Sequence, residues 1–142
     1  MTEELLEVYR HSLAHILANA VIEMFGKDNV QYAIGPQIAD GCYYDFTLPR
    51  PITEDDYKTI EDKMAEIIKR KEDWTRKEIS RAEALELFKN QQYKTELIED
   101  LPEDEVISIY WTGDDFVDLC RGPHVENSKE LMQAAYKIKS AS

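Results

Sequence analysis

The sequence predicts a single α+β domain, with an antiparallel or mixed sheet packed against helices. Two observations carry that expectation. Helical and strand periodicities alternate without a regular βαβ rhythm. The length, 142 residues with 43% apolar, fits one domain with one packed core.

The elements follow in order. Residues 3–25 form the first helix, because Leu6, Leu13, Leu17, Ala20 and Met24 recur at helical spacing and Gly26 sits at the stop. Val30–Ile34 and Cys42–Leu48 are strands, with Gly35-Pro36 and Asp40-Gly41 as turn signals between them. Thr53, with Asp56 three residues on, opens a second helix that runs to about Lys71 and has one apolar face of Ile60, Met64, Ile67 and Ile68. Trp74–Ile79 is a short strand. Ser80 with Glu83 caps a helix through about Phe88. Val106–Trp111, rich in β-favouring and bulky residues, turns through Thr112-Gly113-Asp114 into Phe116–Cys120, which makes a hairpin. A last strand covers Ala134–Lys139.

Composition excludes several function classes. There are 17 Lys and Arg against 29 Asp and Glu, a net charge of −12. That balance argues against a free-standing DNA or RNA binder and against docking on an anionic membrane. No apolar run approaches the ~18–20 residues of a membrane span. The acidic start, Met1-Thr2-Glu3-Glu4, lacks the pattern of a signal peptide. Two cysteines 78 positions apart make no disulfide framework, so a reducing, cytosolic compartment is expected. Charge is uneven: residues 69–81 hold six cations, and residues 95–119 hold nine acids and no cation. Charge pattern favours solvated surfaces at both places; the sharper alternative makes 69–81 the one approach for a phosphate backbone.

All three histidines fall in two short motifs, His11-Ser12-Leu13-Ala14-His15 and Cys120-Arg121-Gly122-Pro123-His124. Positions i and i+4 lie about 40° apart on a helical wheel, so His11 and His15 point the same way. The leucine stripe sits nearly opposite, which places the pair on the wall of a cleft. Gly122 and Pro123 constrain the backbone after the last hairpin strand and can aim Cys120 and His124 at one point. Three imidazoles and a thiol make either a tetrahedral zinc set or a metal-free set that holds a water and a polar substrate. Singly, a buried His is usually a satisfied core residue and a lone Cys a small apolar filler; it is the pairing of the motifs that argues for a shared site. Cys42 has no such company and reads as packing. Asp118, two residues before Cys120, faces the same side of its strand and could orient an imidazole or an amine; alone it is one more acid in an acidic hairpin. Lys94, alone, reads as a surface lysine.

These residues resemble the editing domain of threonyl-tRNA synthetases. Arg10-His11-Ser12-Leu13-Ala14-His15, Ala33-Ile34-Gly35-Pro36 and Gly41-Cys42-Tyr43-Tyr44-Asp45 look like its N-terminal half. Val117-Asp118-Leu119-Cys120-Arg121-Gly122-Pro123-His124-Val125 looks like its C-terminal signature. The resemblance runs from about residue 8 to 139. Related alanyl editing domains share both motifs but typically end the second in Gly-Thr-His; Gly122-Pro123-His124 favours the threonyl branch.

The resemblance implies proofreading: hydrolysis of mischarged seryl-tRNA(Thr), with threonyl-tRNA(Thr) rejected by size. It places His11, His15, Cys120 and His124 in the pocket. It makes Lys94 the lysine that handles substrate and water, and Asp118 the acid that holds the seryl amine or hydroxyl. It puts Gly35 and Tyr44 where the wall approaches the terminal adenosine. A pocket-bound water is expected to attack, rather than a Cys nucleophile. No metal is expected to be required, although alanyl relatives use zinc and the four side chains would suit it. The expected partners are the 3′ end of tRNA(Thr) and the remaining domains of a longer synthetase from which residues 1–142 are excised; a free-standing trans-editor is the runner-up. No ATP-binding motif is present. The rival from another class is a non-catalytic zinc-binding or tRNA-interaction module, which has no need of Lys94 or Asp118.

Overall fold

Residues 2–34, 44–138 and 141 are described by the computed structural model. They form α1 (Glu3–Phe25), β1 (Gln31–Ile34), β2 (Tyr44–Thr47), α2 (Glu54–Lys69), β3 (Trp74–Ile79), α3 (Arg81–Leu87), α4 (Gln92–Asp100), β4 (Ile107–Thr112) and β5 (Phe116–Leu119), with 3-10 turns at Lys27–Asn29 and Ser128–Gln133. The class is α+β. Three helices start on side-chain caps, two of which, Thr53 with Asp56 and Ser80 with Glu83, are legible in the sequence. The Thr2 hydroxyl accepts from the Leu5 N–H at 3.1 Å, the Thr53 N–H donates to the Asp56 carboxylate at 2.8 Å, and Ser80 and Glu83 satisfy each other's N–H groups at 3.0 and 3.1 Å.

Two antiparallel sheets result. β1 pairs with β2, and β3, β4 and β5 form a second sheet in that order. Register decides everything about the second sheet. Trp74 pairs with Thr112 and Arg76 with Tyr110, while Tyr110 pairs with Asp118 and Thr112 with Phe116. Cross-strand partners share a face, so these side chains stand on one side of the sheet with Ser108. The alternate residues Ile79, Ile107, Ile109, Trp111, Val117 and Leu119 stand on the other, against Ala84, Phe88 and Ile98 of the α3–α4 segment. The first face packs with α1 and α2 around Ile16, Val21, Ile60, Met64 and Ile67.

Three expectations are corrected. On α1, the Leu13, Leu17 and Met24 stripe is only partly buried, whereas Ser12, His15, Ile16 and Asn19 are at most 1% exposed. The helix lies between α2 and the sheet, and the histidine side is the one that enters the interior. The segment after Gln133 is not a strand over its described residues. Ala134, Tyr136 and Ile138 pack singly onto the core, and the Ile138 N–H is taken by the Glu61 carboxylate at 2.8 Å rather than by a neighbouring strand. Finally, α4 is a helix that periodicity did not announce. Two of the six cations of the 69–81 stretch are taken up by the fold: Arg70 pairs with Glu23 at 2.7 Å, and Arg81 donates to the carbonyls of Ile98, Leu101 and Pro102 that end α4. No described helix is long and apolar enough to cross a membrane.

Candidate active site

The site forms where α1 meets the end of β5. His11 and His15 project from one side of the helix, and the turn after Leu119 brings Cys120 and His124 against them. The His124 ring lies 4.2 Å from the rings of both His11 and His15. The Cys120 Sγ is 3.4 Å from His11 Nε2 and 3.1 Å from His124 Nε2. Trp74 and Phe116 close the far side of His15, with centroids at 5.7 and 5.5 Å. Gly122 has φ +82°, and a Cβ there would lie 2.7 Å from the Tyr110 hydroxyl. Glycine thus lets the turn sit directly on Tyr110, whose ring meets His124 at 4.6 Å.

Ser12 is a participant that sequence reasoning missed. Its hydroxyl lies 2.9 Å from His124 Nδ1 and accepts the Val125 N–H at 3.1 Å, so it fixes the His124 ring and the turn together. The available signal was its place inside the first histidine motif, one residue round the helix from His11.

Lys94 and Asp118 come together by a different route. Asp118 stands on the α1-facing side of β5, and Lys94 reaches it from α4. Their side chains are 3% and 0% exposed, and Nζ lies 2.6 Å from Oδ1. The Tyr44 hydroxyl donates to Oδ2 at 2.6 Å and the Leu119 N–H to Oδ1 at 2.7 Å. Tyr32 lies under the ammonium, 4.9 Å from Nζ to ring centroid. Neither bland alternative describes these residues: the lysine is not at the surface and the aspartate is not one more solvated acid. The start of α4 is held by reciprocal amides. Gln91 accepts from the Tyr32 N–H at 3.2 Å and donates to Val30 O at 2.8 Å, while Gln31 accepts from the Gln92 N–H at 2.7 Å and donates to Asn90 O at 2.8 Å. Gly35 and Cys42 lie outside the described residues.

Burial sets the protonation of the cluster. It holds His11 below the ordinary imidazole value, against the opposing pull of the Asp118 carboxylate and a hydrogen bond to Pro123. Burial, with the other histidines and Lys94 adding to it, holds His15 well below that value. Burial and His11 bring His124 down to about 3. Burial pushes the Cys120 thiol up to about 11, and burial with Asp118 raises Tyr44 well above the ordinary phenol. At neutral pH the cluster is therefore three neutral imidazoles and a protonated thiol.

That donor set could hold a metal. One ligand atom from each of His11, His15, Cys120 and His124 lies within 4.8 Å of the others. Both nitrogens of His15 are buried with no hydrogen-bond partner among the described residues. Three nitrogens and a sulfur suit a tetrahedral cation such as zinc, binding of which would deprotonate the thiol.

Known proteins match this chain at two levels. Residues 107–141 match the family described as the threonyl and alanyl tRNA synthetase second additional domain. Over 142 residues, all of this chain and 21% of the relative, it is 45% identical to a threonine–tRNA ligase of Staphylococcus aureus (strain bovine RF122 / ET3-1). It is 46% identical over 141 residues to that of strain JH9, again over 21% of the relative's length. The chain thus spans about a fifth of these ligases. Both motifs, His11–His15 and Cys120–His124, lie inside the stretch shared with these ligases, and the second also lies inside the family match, so the chain is similar to a segment of threonine–tRNA ligases that includes the second additional domain.

Proposed function

We propose that this chain hydrolyses the aminoacyl ester of mischarged seryl-tRNA(Thr) and spares threonyl-tRNA(Thr). The observation that carries this function is the buried Lys94–Asp118 pair beside the thiol–imidazole cluster. A ligand set that only holds a structural ion gains nothing from a lysine brought in from a separate helix. Need supports the same choice. Serine lacks one methyl of threonine, worth ~1–3 kcal/mol in binding, so a ligase that selects threonine benefits from a second, hydrolytic selection.

The side chains suggest a consistent proton arrangement. We assign Nε2 of His11 as the free lone pair, which receives the Cys120 S–H at 3.4 Å. The sulfur then accepts from His124 Nε2–H at 3.1 Å, and His124 Nδ1 accepts from Ser12 at 2.9 Å. His11, the more exposed of the two α1 histidines, becomes a neutral base toward a water once the Cys120 S–H rotates away and frees this lone pair. An aminoacyl ester is activated already, so a positioned water with modest base assistance suffices. Asp118 has three donors on its two oxygens and is fully buried. Its role in this proposal is to aim Lys94 and Tyr44, while Lys94 handles the ester and the water. When bound by His11, His15, Cys120 and His124, a metal supplies Lewis acidity toward an ester carbonyl. We expect hydrolysis to need the side chains alone.

The test follows release of amino acid from seryl-tRNA(Thr) and threonyl-tRNA(Thr). Selective loss of serine is expected, falling by at least tenfold in His11→Ala and Lys94→Ala variants whose circular dichroism stays native. Equal rates in all three proteins would transfer support to the non-catalytic metal-binding module. Stoichiometric zinc in the purified protein, with hydrolysis abolished by a chelator, would overturn the metal-free expectation alone.

A further inference from the structure

We propose that Arg76 anchors a backbone phosphate next to the terminal nucleotide of the acylated RNA, and so contributes affinity for the RNA rather than for the ester. This rests on the hydrolase function above. Among the described Arg side chains on the sheet side of the site, Arg76 is the most weakly held; Arg10, on α1 beside His11, pairs with Glu3 at 4.0 Å. Arg70 is held by Glu23 and Asp115, Arg81 by the end of α4, and the Arg121 head by Glu105. Arg76 shares a cross-strand row with Tyr110 and Asp118, the row that borders His124 and Lys94. Its Nε donates to the Arg121 carbonyl at 3.4 Å, which lays the guanidinium along the Cys120–His124 turn. Its charge is felt at the Cys120 thiol.

The side chain is 42% exposed, and its one ion-pair partner among the described residues is Glu78, at 3.5 Å and 53% exposed. An exposed pair of that length is weak and exchanges readily for a better anion. A guanidinium fork matches two phosphate oxygens at once, which a single ammonium does not. The surroundings make the cation matter more. The chain carries a net −12, and the nine acids of residues 95–119 include those of the hairpin beside the site. A phosphate that approaches this hairpin needs a local positive charge to overcome repulsion.

The test compares two esters of serine: seryl-tRNA(Thr), and seryl-adenosine, which has no phosphate. Arg76→Ala is expected to raise KM for seryl-tRNA(Thr) about tenfold with kcat unchanged, and to leave seryl-adenosine hydrolysis unaltered. The slope of log KM against log salt concentration should fall by about 0.7, the loss of one single-strand phosphate contact. Arg76→Lys should recover part of the KM and most of the salt slope. An equal loss on both esters, or no loss on either, overturns the anchor. If the unaltered chain hydrolyses neither ester, the hydrolase function itself fails and the anchor with it.

Discussion

The two faces of the β3–β4–β5 sheet are made from the same three strands and do opposite things. One carries Ile107 and Ile109 into a wholly apolar contact with Ala84, Phe88 and Ile98. The other carries Ser108, Thr112 and Asp118, all at most 6% exposed, toward a helix that answers with Ser12, His15 and Asn19. Burial is equally deep on both. What differs is the cost of error. The apolar face loses only area and packing when a side chain is trimmed, whereas the polar face loses a partner for a charge or a hydrogen-bonding group with no water to replace it. A catalytic site is placed on the second kind of surface, because only there can charge be held in fixed geometry.

The largest expected effect comes from breaking the polar face. Asp118→Leu strands the Lys94 ammonium and should cost ~3–5 kcal/mol, read as a fall in urea midpoint. Adding Lys94→Met should restore much of that stability while hydrolysis stays absent, because an apolar pair replaces a buried ionic one well. On the apolar face, Ile109→Ala should cost ~2–4 kcal/mol and leave kcat of the folded fraction unchanged.

Acid sharpens the contrast. An imidazole held below its unfolded value favours the folded state above pH ~6.5, and that contribution is lost as pH falls toward the folded value. For His124, held at about 3, the loss should reach ~2 kcal/mol at pH 5 and should vanish in His124→Gln, measured by urea unfolding at several pH values. The raised thiol predicts slow alkylation: iodoacetamide labelling of the Cys120 peptide should rise about tenfold per pH unit from pH 7.5 toward 10. Smallest of all is Thr112→Val. The hydroxyl is buried without a partner among the described residues, so its removal should change stability by less than ~0.5 kcal/mol or raise it. A loss above ~1.5 kcal/mol would show that the polar face satisfies this group after all.

Much of the fold was legible because local signals were redundant. Thr53 with Asp56 and Ser80 with Glu83 announced two helices, and Trp74–Ile79 agreed with the observed strand at both ends. Legibility failed where burial and hydrophobicity part company. The buried residues of α4 are Lys94 and Ile98, so no apolar stripe marks it. Ala134, Tyr136 and Ile138 recur at the two-residue spacing of a strand, yet each docks alone. The same split runs through the site. Two motifs with no spare histidine pointed at each other, because their chemistry is visible residue by residue. Ser12 was invisible, since a small polar residue on a helix looks the same whether it faces water or clamps an imidazole. Lys94 stood out only through family resemblance, because its significance depends on α4 packing beside β1 so that this one side chain reaches Asp118 on β5.

The Lys94–Asp118 pair ties that observation to the folding of the whole chain. Lys94 belongs to the segment that completes one core, while His11 and His15 belong to the helix that completes the other. Neither half alone assembles the constellation, so the hydrolysis proposed above would require both cores to have formed and docked. A nascent or partly melted chain would be inert toward every aminoacyl-tRNA, correct ones included. Under the proposed function the ion pair would be an interlock, with activity lost before selectivity.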